Sequence, residues 1–290
     1  HGLYSFTALT RMRELALSEA SRLAEDEGED APSAAAEAAH PELAALANLR
    51  GARFGDALHG LLEDGRQAQP YAAQPERIRR ALDRHSVRSG QAGDDAATIA
   101  AVARLLDRTL DCELAPGLAL AALAPAARRA EFEFAFVLDD ARWGRLHALL
   151  DAHGLGHWWP PGGAGEALRG LMKGYIDLVF AFDGRFHVLD YKTNWLGERL
   201  ADYSADALDQ AMLEHHYGLQ ALIYTVALQR YLARRIPDYR PERHLGESWY
   251  LFLRAIGLAP GAGLWRKRFP QALVDALDAL FDGAENLACA

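Results

Sequence analysis

The central fold is decided by the stretch Lys173-Gly-Tyr-Ile-Asp177-Leu-Val-Phe-Ala-Phe-Asp183-Gly184-Arg-Phe-His-Val-Leu-Asp190-Tyr191-Lys192. Two runs rich in aromatic and β-branched residues flank the Asp183-Gly184 pair. An Asp-Gly pair between such runs predicts a β-hairpin with a two-residue type I′ turn. In that hairpin Phe182 pairs with Arg185, and this pairing sets the register of both strands.

The predicted register brings three charged side chains to one face of the hairpin. Counting back from the turn places Asp177 opposite Asp190, with their Cβ atoms roughly 5 Å apart. Side chains alternate along a strand, so Lys192 shares the face of Asp190, whereas Leu189 and Tyr191 point to the other face. Two carboxylates at this separation repel each other unless a cation lies between them.

From the spacing alone, two interpretations of this charged face remain open. One is metal-assisted attack of water on a phosphodiester, because carboxylates bind Mg²⁺, which keeps several waters and bridges to substrate phosphate. The ion polarises the phosphoryl oxygen and lowers the pKa of a bound water, while the lysine orients that water and stabilises charge. The other is a solvated hairpin face, whose Asp–Lys pair contributes roughly 0–1 kcal/mol.

A series of motifs around the hairpin carries a resemblance to a known family. In order along most of the chain they are Ser5-Phe-Thr-Ala-Leu-Thr-Arg11, Leu58-His59-Gly60-Leu-Leu-Glu63, Glu131-Phe-Glu133-Phe, Gly174-Tyr-Ile-Asp177, Leu189-Asp190-Tyr191-Lys192-Thr193-Asn194-Trp195-Leu196-Gly197, Gln220-Ala-Leu-Ile-Tyr224-Thr and Tyr250-Leu-Phe-Leu-Arg254. They resemble the C-terminal nuclease domain of the RecB subunits of RecBCD helicase-nucleases, a PD-(D/E)xK-type nuclease. The resemblance implies an α/β fold, with a restriction-endonuclease-like central mixed sheet flanked by helices and an N-terminal helical layer.

The resemblance also implies roles for individual residues. Asp177, Asp190 and Lys192 match the catalytic positions of the family. His59, on the helical layer, is implied to join the two aspartates as a metal ligand. The side chain of Tyr191 points away on strand geometry, so its backbone carbonyl is the expected metal contact. Imidazole suits Mn²⁺ better than Mg²⁺, which implies that either metal works.

Four further residues receive supporting roles. Glu131 matches an acidic position of the family motifs, whereas Glu133 is typical of a solvent-facing residue. Glu63 lies four residues after His59 and shares its helix face, but such a pair is also common on surfaces and at caps. The remaining two, Gln220 and Tyr224, share one helix face. The pattern is equally compatible with contact to DNA and with packing in the core.

Composition agrees with a single globular domain, or one core domain with a helical annex, and the resemblance implies that residues 1–290 form one nuclease domain. Residues 1–128 are expected to form the helical layer, with a mobile acidic linker or weakly formed helix over about 25–47. Residues 129–290 are expected to form the α/β core. The patterns predict helices over 53–63, 75–85, 96–110, 143–153, 206–235 and 270–281, and strands over 131–138 and 248–256 besides the hairpin.

Composition limits the class of protein. At 290 residues and 50% hydrophobic content, the chain can bury a sizeable core. No apolar run approaches the ~20 residues that cross a bilayer, and no signal peptide is visible, so we expect a cytoplasmic protein without membrane contact. With only Cys112 and Cys289, the chain lacks the four thiolates that an iron–sulfur cluster normally needs.

The first residue is His1, which suggests a fragment of a longer polypeptide. No G-x-x-x-x-G-K-[ST] loop occurs, so we expect no bound nucleotide and place the helicase motor of the family elsewhere in the parent polypeptide. The resemblance implies as partners DNA, RecC-like and RecD-like subunits and a RecA-like strand-exchange protein. An alternative function is a docking module for RecA and the partner subunits, and another is a metal phosphodiesterase acting on small substrates.

The net charge of −9 is unfavourable for a protein that approaches DNA. Binding depends on the local patch rather than on global charge. Basic residues do cluster, but each cluster alone is more typical of a solvated surface than of a DNA contact; the clusters are 77–88, 230–243 and 266–268.

Overall fold

The computed structural model describes residues 2–5, 38–65, 69–88, 95–159 and 167–283. The helices in these ranges are α1 (Pro41–Ala44), α2 (Ala52–Asp64), α3 (Pro75–Arg84), α4 (Asp95–Asp111), α5 (Trp143–Ala152), α6 (Ala205–Glu214), α7 (Tyr217–Arg235), α8 (Pro241–His244) and α9 (Gln271–Phe281). The strands are β1 (Gly2–Tyr4), β2 (Arg128–Arg142), β3 (Ala167–Phe182), β4 (Arg185–Lys192), β5 (Leu245–Phe252) and β6 (Leu264–Lys267).

The described strands form one mixed six-stranded sheet. Strand β3 pairs antiparallel with β2 along nearly its whole length. It also pairs in parallel with β1 near its start and antiparallel with β4 at its end. Strand β5 lies parallel to β4 and antiparallel to β6. This α/β architecture confirms the predicted central mixed sheet flanked by helices.

The hairpin between β3 and β4 has the predicted turn. Phe182 pairs with Arg185, as the turn chemistry required. Asp183 and Gly184 have φ angles of 48° and 71°. Two consecutive residues with positive φ are the signature of a type I′ turn, which suits Asp-Gly because glycine adopts this region without steric cost.

Each face of the sheet carries its own hydrophobic core. On one face, α5, α6, α7 and α9 pack against residues such as Phe134 and Val188. On the other face, α2, α3 and α4 pack against residues such as Leu189 and Trp249. The N-terminal helices therefore form a layer on the sheet, and β4, which contributes Val188 to one core and Leu189 to the other, is covered on both sides.

Most predicted helices are confirmed to within one or two residues, but residues 206–235 are not one helix. The structure has two helices there, α6 and α7, separated at His215 and His216. His216 has a left-handed backbone with φ of 55°, which breaks the helical hydrogen-bond pattern. Both helices are apolar enough to continue one periodic pattern, so the periodicity did not reveal the break.

Three smaller features of the sheet also differ from the prediction. The strand predicted over 248–256 is Leu245–Phe252, because turn-type bonds follow it: Ala255 and Ile256 both donate to the carbonyl of Phe252. The short strands β1 and β6 were not predicted. Because β1 pairs with β3, the first residues belong to the core sheet rather than to the helical layer.

Part of the segment predicted to be a mobile acidic linker or a weakly formed helix is packed. Residues 25–37 lie outside the described ranges, but α1 and the residues after it do not behave as a linker. Leu43 and Leu46 are fully buried. The buried guanidinium of Arg254 donates to the carbonyl of Leu46 at 2.9 Å and also to that of Leu49. Apolar side chains and these hydrogen bonds therefore hold residues 43–49 against the core.

In the ranges that the structure describes, no helix is both long enough and apolar enough to cross a membrane.

Candidate active site

The strands β3 and β4 separate at the two aspartates of the predicted site. Their backbone pairing ends at Leu178 and Leu189, one residue short of Asp177 and Asp190. Beyond that point the backbone N–H of Tyr191 donates to Asp177 Oδ2 at 2.7 Å. A side-chain carboxylate thus takes the place of the next backbone acceptor, and the pairs from Phe182–Arg185 to Leu178–Leu189 have the predicted register.

Asp190 is buried next to Lys192. The residue is 3% exposed, and its Oδ2 lies 2.5 Å from Lys192 Nζ. Burial and the negative charge of Asp177 raise the pKa of Asp190 above its ordinary value, although Lys192 opposes this shift. The ammonium of Lys192 is the ion-pair partner of this oxygen, which accepts no further hydrogen bond among the described residues. A buried carboxylate beside a second carboxylate is suited to share a cation with it.

His59 reaches the aspartates from α2 in the helical layer. Its Nδ1 lies 3.4 Å from Asp177 Oδ1, and its Nε2 lies 2.9 Å from the carbonyl oxygen of Tyr191. Both ring nitrogens face acceptors, and only an imidazolium can donate to both. Burial lowers the pKa of His59, but the hydrogen bond and charge of Asp177 outweigh it and raise the pKa to about 9. The histidine, an aspartate and the Tyr191 carbonyl therefore converge, as predicted.

Lys192 is held in place by groups on α7 and β5. Its Nζ donates to Gln220 Oε1 at 3.0 Å, and the same oxygen accepts from the hydroxyl of Tyr250 at 3.0 Å. The ammonium also lies 3.9 Å from the ring centroid of Tyr217. Burial lowers the pKa of Lys192, but the charge of Asp190 and the Tyr217 hydroxyl outweigh it and the pKa is raised. The lysine is a charged donor with a fixed orientation.

Gln220 and Tyr224 form part of this support. The side-chain amide of Gln220 donates to the hydroxyl of Tyr224 at 3.1 Å. The two residues are 9% and 6% exposed, respectively. Their burial favours packing behind Lys192 over direct contact with DNA.

Glu131 lies level with Asp177 on the neighbouring strand β2. Ala130 pairs with Leu178 and Phe132 with Ile176, so the two acids fall between these pairs. Burial raises the pKa of Glu131, and the charges of Asp177 and Glu63 raise it further. Its φ is 44°, a left-handed conformation that is costly for a residue other than glycine. Such strain is typical of functional sites.

Near Asp177 and Glu131, the side chains of the strands switch from one face of the sheet to the other. Ile176 and Val179 pack in the same core although they are three positions apart along β3. Strict alternation would place them on opposite faces. The reversal between them coincides with Asp177 and with the strained Glu131, and it accompanies the contact of Asp177 with His59 in the layer on the other side of the sheet.

The remaining acidic residues of the predicted set lie nearer to solvent. Glu63 is exposed on α2, one turn after His59, and is close enough to act on the pKa of Glu131. Glu133 is exposed and pairs with Lys173 at 2.6 Å, as expected for a solvent-facing residue. The predicted strand alternation is confirmed from Phe132 to Phe136, since Phe132, Phe134 and Phe136 are all buried in one core, but the left-handed backbone of Glu131 interrupts it.

Sequence reasoning gave no role to three residues that support the site. Tyr217 and Tyr250 surround Lys192, and Arg254 donates to the carbonyl of Thr193 at 2.8 Å, directly after the lysine. Tyr250 and Arg254 begin and end one of the family motifs, which was a signal available in the sequence. Tyr217 carried no such signal.

The donor set fits a hard divalent cation. Two carboxylates, one of them buried in an ion pair with Lys192, converge with a backbone carbonyl and a histidine. Oxygen-dominated sets of this kind suit Mg²⁺ and Mn²⁺. Within the described ranges, no three His, Cys, Asp or Glu side chains form a complete metal cluster by themselves. Ligands beyond the side chains, such as the carbonyl, water or substrate oxygen, would have to complete the shell of an ion.

Comparison with known proteins gives matches over most of the chain. Residues 33–288 match the model of the PD-(D/E)XK nuclease superfamily. The chain is 35% identical over 262 residues to the RecBCD enzyme subunit RecB of Escherichia coli K12, covering 88% of this chain and 21% of that protein. It is 36% identical over 284 residues to the RecBCD enzyme subunit RecB of Mycobacterium tuberculosis H37Rv, covering 87% and 25%. The chain therefore spans about a fifth to a quarter of the length of these relatives.

Proposed function

The chain belongs to the PD-(D/E)XK nuclease superfamily, and from that premise we propose that it is a Mg²⁺-dependent deoxyribonuclease, in which Mn²⁺ can replace Mg²⁺. The observation that carries the proposal is the convergence of Asp177, Asp190 and Lys192 at the end of one hairpin, with His59 brought to them from the helical layer. A solvated hairpin face would not bury Asp190 or surround Lys192 with three polar and aromatic side chains.

Each residue has a defined part in the proposal. Asp177, Asp190, His59 and the carbonyl of Tyr191 would hold the ion, which when bound supplies charge neutralisation for the phosphodiester and activation of water. Lys192 donates a hydrogen bond to the attacking water and stabilises the negative charge that develops on the phosphate.

Four further residues support these groups in the proposal. Gln220 orients the ammonium of Lys192, and Tyr224 orients the amide of Gln220. Glu131 supports the positioning of metal or water. Glu63 contributes negative charge at the edge of the site.

The biological setting is inferred from the relatives. We propose that residues 1–290 form one nuclease domain of a longer polypeptide whose helicase motor lies elsewhere, and that it acts with RecC-like and RecD-like subunits in recombination and repair in the cytoplasm. Its substrates in this proposal are single strands and DNA ends. A RecA-like strand-exchange protein is a further proposed partner.

A docking function for RecA and the partner subunits is the second candidate. It is supported by the small share of the RecB relatives that the chain spans, because the rest of such a protein and its partners need contact surfaces. Docking alone does not require a buried Asp190–Lys192 pair, since a buried ion pair adds little stability. The two functions are compatible, with docking on surfaces outside the proposed active site.

Cleavage of a labelled single-stranded oligonucleotide tests the proposed activity. The purified chain should cleave with Mg²⁺ or Mn²⁺, should turn over little with Ca²⁺, and should not respond to ATP. Lys192→Ala should remove the activity, while Lys173→Ala, which changes a partly exposed lysine paired with Glu133, should keep it. Cleavage in excess EDTA, or equal rates for wild type and Lys192→Ala, would contradict the proposal.

A further inference from the structure

A cavity opens directly beyond the proposed catalytic lysine. It has a volume of about 350 Å³ and is lined by Arg50, Thr193, Asn194, Trp195 and Tyr217, together with residues 51–52 at the start of α2. Lys192 ends β4, and the next three residues form the cavity wall. A ligand in the cavity would therefore be continuous with a phosphate bound at the lysine.

Tyr217 belongs to both the cavity and the catalytic cluster. Its ring centroid lies 3.9 Å from Lys192 Nζ, and its hydroxyl donates to Asn194 Oδ1 at 3.2 Å. One side chain thus forms the partition between the lysine and the cavity. This arrangement makes the cavity an extension of the proposed active site and not a separate pocket elsewhere on the molecule.

Arg50 offers a cation at the mouth of the cavity. Its Cζ lies 4.5 Å from the ring centroid of Trp195, and its Nε donates to the carbonyl of Ala47 at 2.6 Å. These two contacts hold the guanidinium in one place, although the residue is exposed. No carboxylate among the described residues forms an ion pair with it. An ordered guanidinium without an acidic partner is suited to bind a phosphate.

We propose that the cavity is a subsite for the nucleotide next to the scissile bond, with Arg50 binding that nucleotide's phosphate and Trp195 positioning Arg50. The volume lies in the range of roughly 300–1,000 Å³ that is typical of ligand pockets. A cation combined with aromatic rings is the chemistry that binds single-stranded nucleic acid without sequence preference. The inference rests on the proposed nuclease function and adds to it a contact beyond the reacting phosphate.

Equilibrium binding of a single-stranded oligonucleotide in Ca²⁺ tests the subsite without cleavage. Arg50→Gln should weaken binding about tenfold and should reduce the slope of log K against log salt by about 0.7, the contribution of one single-strand phosphate contact. Arg53→Gln removes the same charge from an exposed residue of α2 that does not line the cavity. Equal effects of the two variants would overturn the proposal, because Arg50 would then affect binding only through the net charge of the protein and not through a specific phosphate contact.

Steady-state kinetics separate the subsite from the catalytic centre. Arg50→Gln should raise KM for the oligonucleotide and leave kcat nearly unchanged, whereas Lys192→Ala should lower kcat. As a single substitution, Trp195→Leu should raise KM. In the Arg50→Gln background it should raise KM little further, because Trp195 acts through Arg50. Loss of kcat in Arg50→Gln, or additive effects of the two substitutions, would overturn the subsite. The wild-type chain could fail to cleave while Arg50→Gln still shows a lower oligonucleotide affinity and a smaller slope of log K against log salt than Arg53→Gln. In that case the nuclease proposal fails and the phosphate contact stands.

Discussion

The side-chain oxygen of Gln220 accepts a hydrogen bond of 3.0 Å from the ammonium of Lys192, which bridges the long helix α7 to the end of β4. The same oxygen accepts from Tyr250, so it is fixed by two donors. Because the glutamine does not contact either aspartate in the described hydrogen bonds, its effect on the reaction should pass through the lysine.

Gln220→Ala should therefore lower kcat by about tenfold, since a hydrogen bond to a charged group contributes roughly 1.5–3 kcal/mol. Metal affinity, measured by calorimetry, should change little. Gln229→Ala is the matched control, because Gln229 is equally buried on α7 but pairs with Asp275, away from the site. If the two variants lost activity in parallel, Gln220 would act on the helix and not on Lys192.

The aspartates and the lysine should separate in their effects. Asp177→Ala and Asp190→Ala should abolish cleavage and also weaken Mg²⁺ or Mn²⁺ binding in calorimetry, because each removes a proposed ligand. Lys192→Ala should reduce cleavage by a factor on the order of 10² or more. Metal affinity should survive or rise slightly in this variant, because a neighbouring positive charge is gone. A folded Lys192→Ala variant with near-normal rates would exclude this hairpin as the catalytic centre.

The hairpin could be predicted from the sequence because its information is local. Asp183-Gly184 dictates a two-residue turn, and the turn dictates the register that opposes Asp177 to Asp190. Helices with a strong apolar period, such as α2 and α4, were also predictable. In each case the deciding residues lie close together in the chain.

The support of the site could not be predicted in the same way, because its contacts join distant parts of the chain. Tyr217 and Tyr250 meet Lys192 only after α7 and β5 have packed on the sheet. The left-handed residues Glu131 and His216 are likewise imposed by tertiary packing, since neither residue type demands a positive φ. The role of His59 came from family resemblance, as its spacing to Glu63 has several ordinary explanations.

Glu131 should show opposite effects on stability and activity. Its φ of 44° costs a non-glycine residue roughly 1–2 kcal/mol. Glu131→Gly should relieve that cost and raise the free energy of unfolding by about 1 kcal/mol, while cleavage falls because the carboxylate is lost. Glu133→Gly is the control: Glu133 is paired in the regular ladder with Tyr175, so glycine there should lower stability and leave cleavage intact. Denaturant unfolding and the cleavage assay measure both quantities.

A loss of stability in Glu131→Gly as large as in Glu133→Gly would mean that the backbone at 131 is not strained. Unchanged cleavage in Glu131→Gly would remove the supporting role of its carboxylate. Glu131→Gln separates the two effects, since it keeps the side-chain shape and the strain but removes the charge.

His187 should make the protein less stable in mild acid. Its Nδ1 accepts from the backbone N–H of Glu247 at 3.0 Å and from the indole N–H of Trp249 at 3.2 Å, so that nitrogen has no proton. Burial is the main cause that lowers the pKa of His187 to about 4. In the unfolded chain His187 binds a proton as pH falls through about 6.5, whereas in the folded chain it stays neutral until pH approaches 4. The contribution of His187 to the free energy of unfolding is therefore fully present above pH 6.5 and is lost as pH falls toward 4.

The free energy of unfolding should accordingly fall by about 2 kcal/mol from pH 7 to pH 5 through this group alone. His187→Gln should remove this contribution, so the difference between wild type and variant should shrink as pH falls across that window. His153→Gln also removes one histidine, but from an exposed position, so it is the control for the loss of a histidine as such. Chemical denaturation at pH 7, 6 and 5 measures the three proteins. A constant difference between wild type and His187→Gln across the series would mean that His187 is protonated equally in the folded and unfolded chains, against the two N–H groups that face its Nδ1.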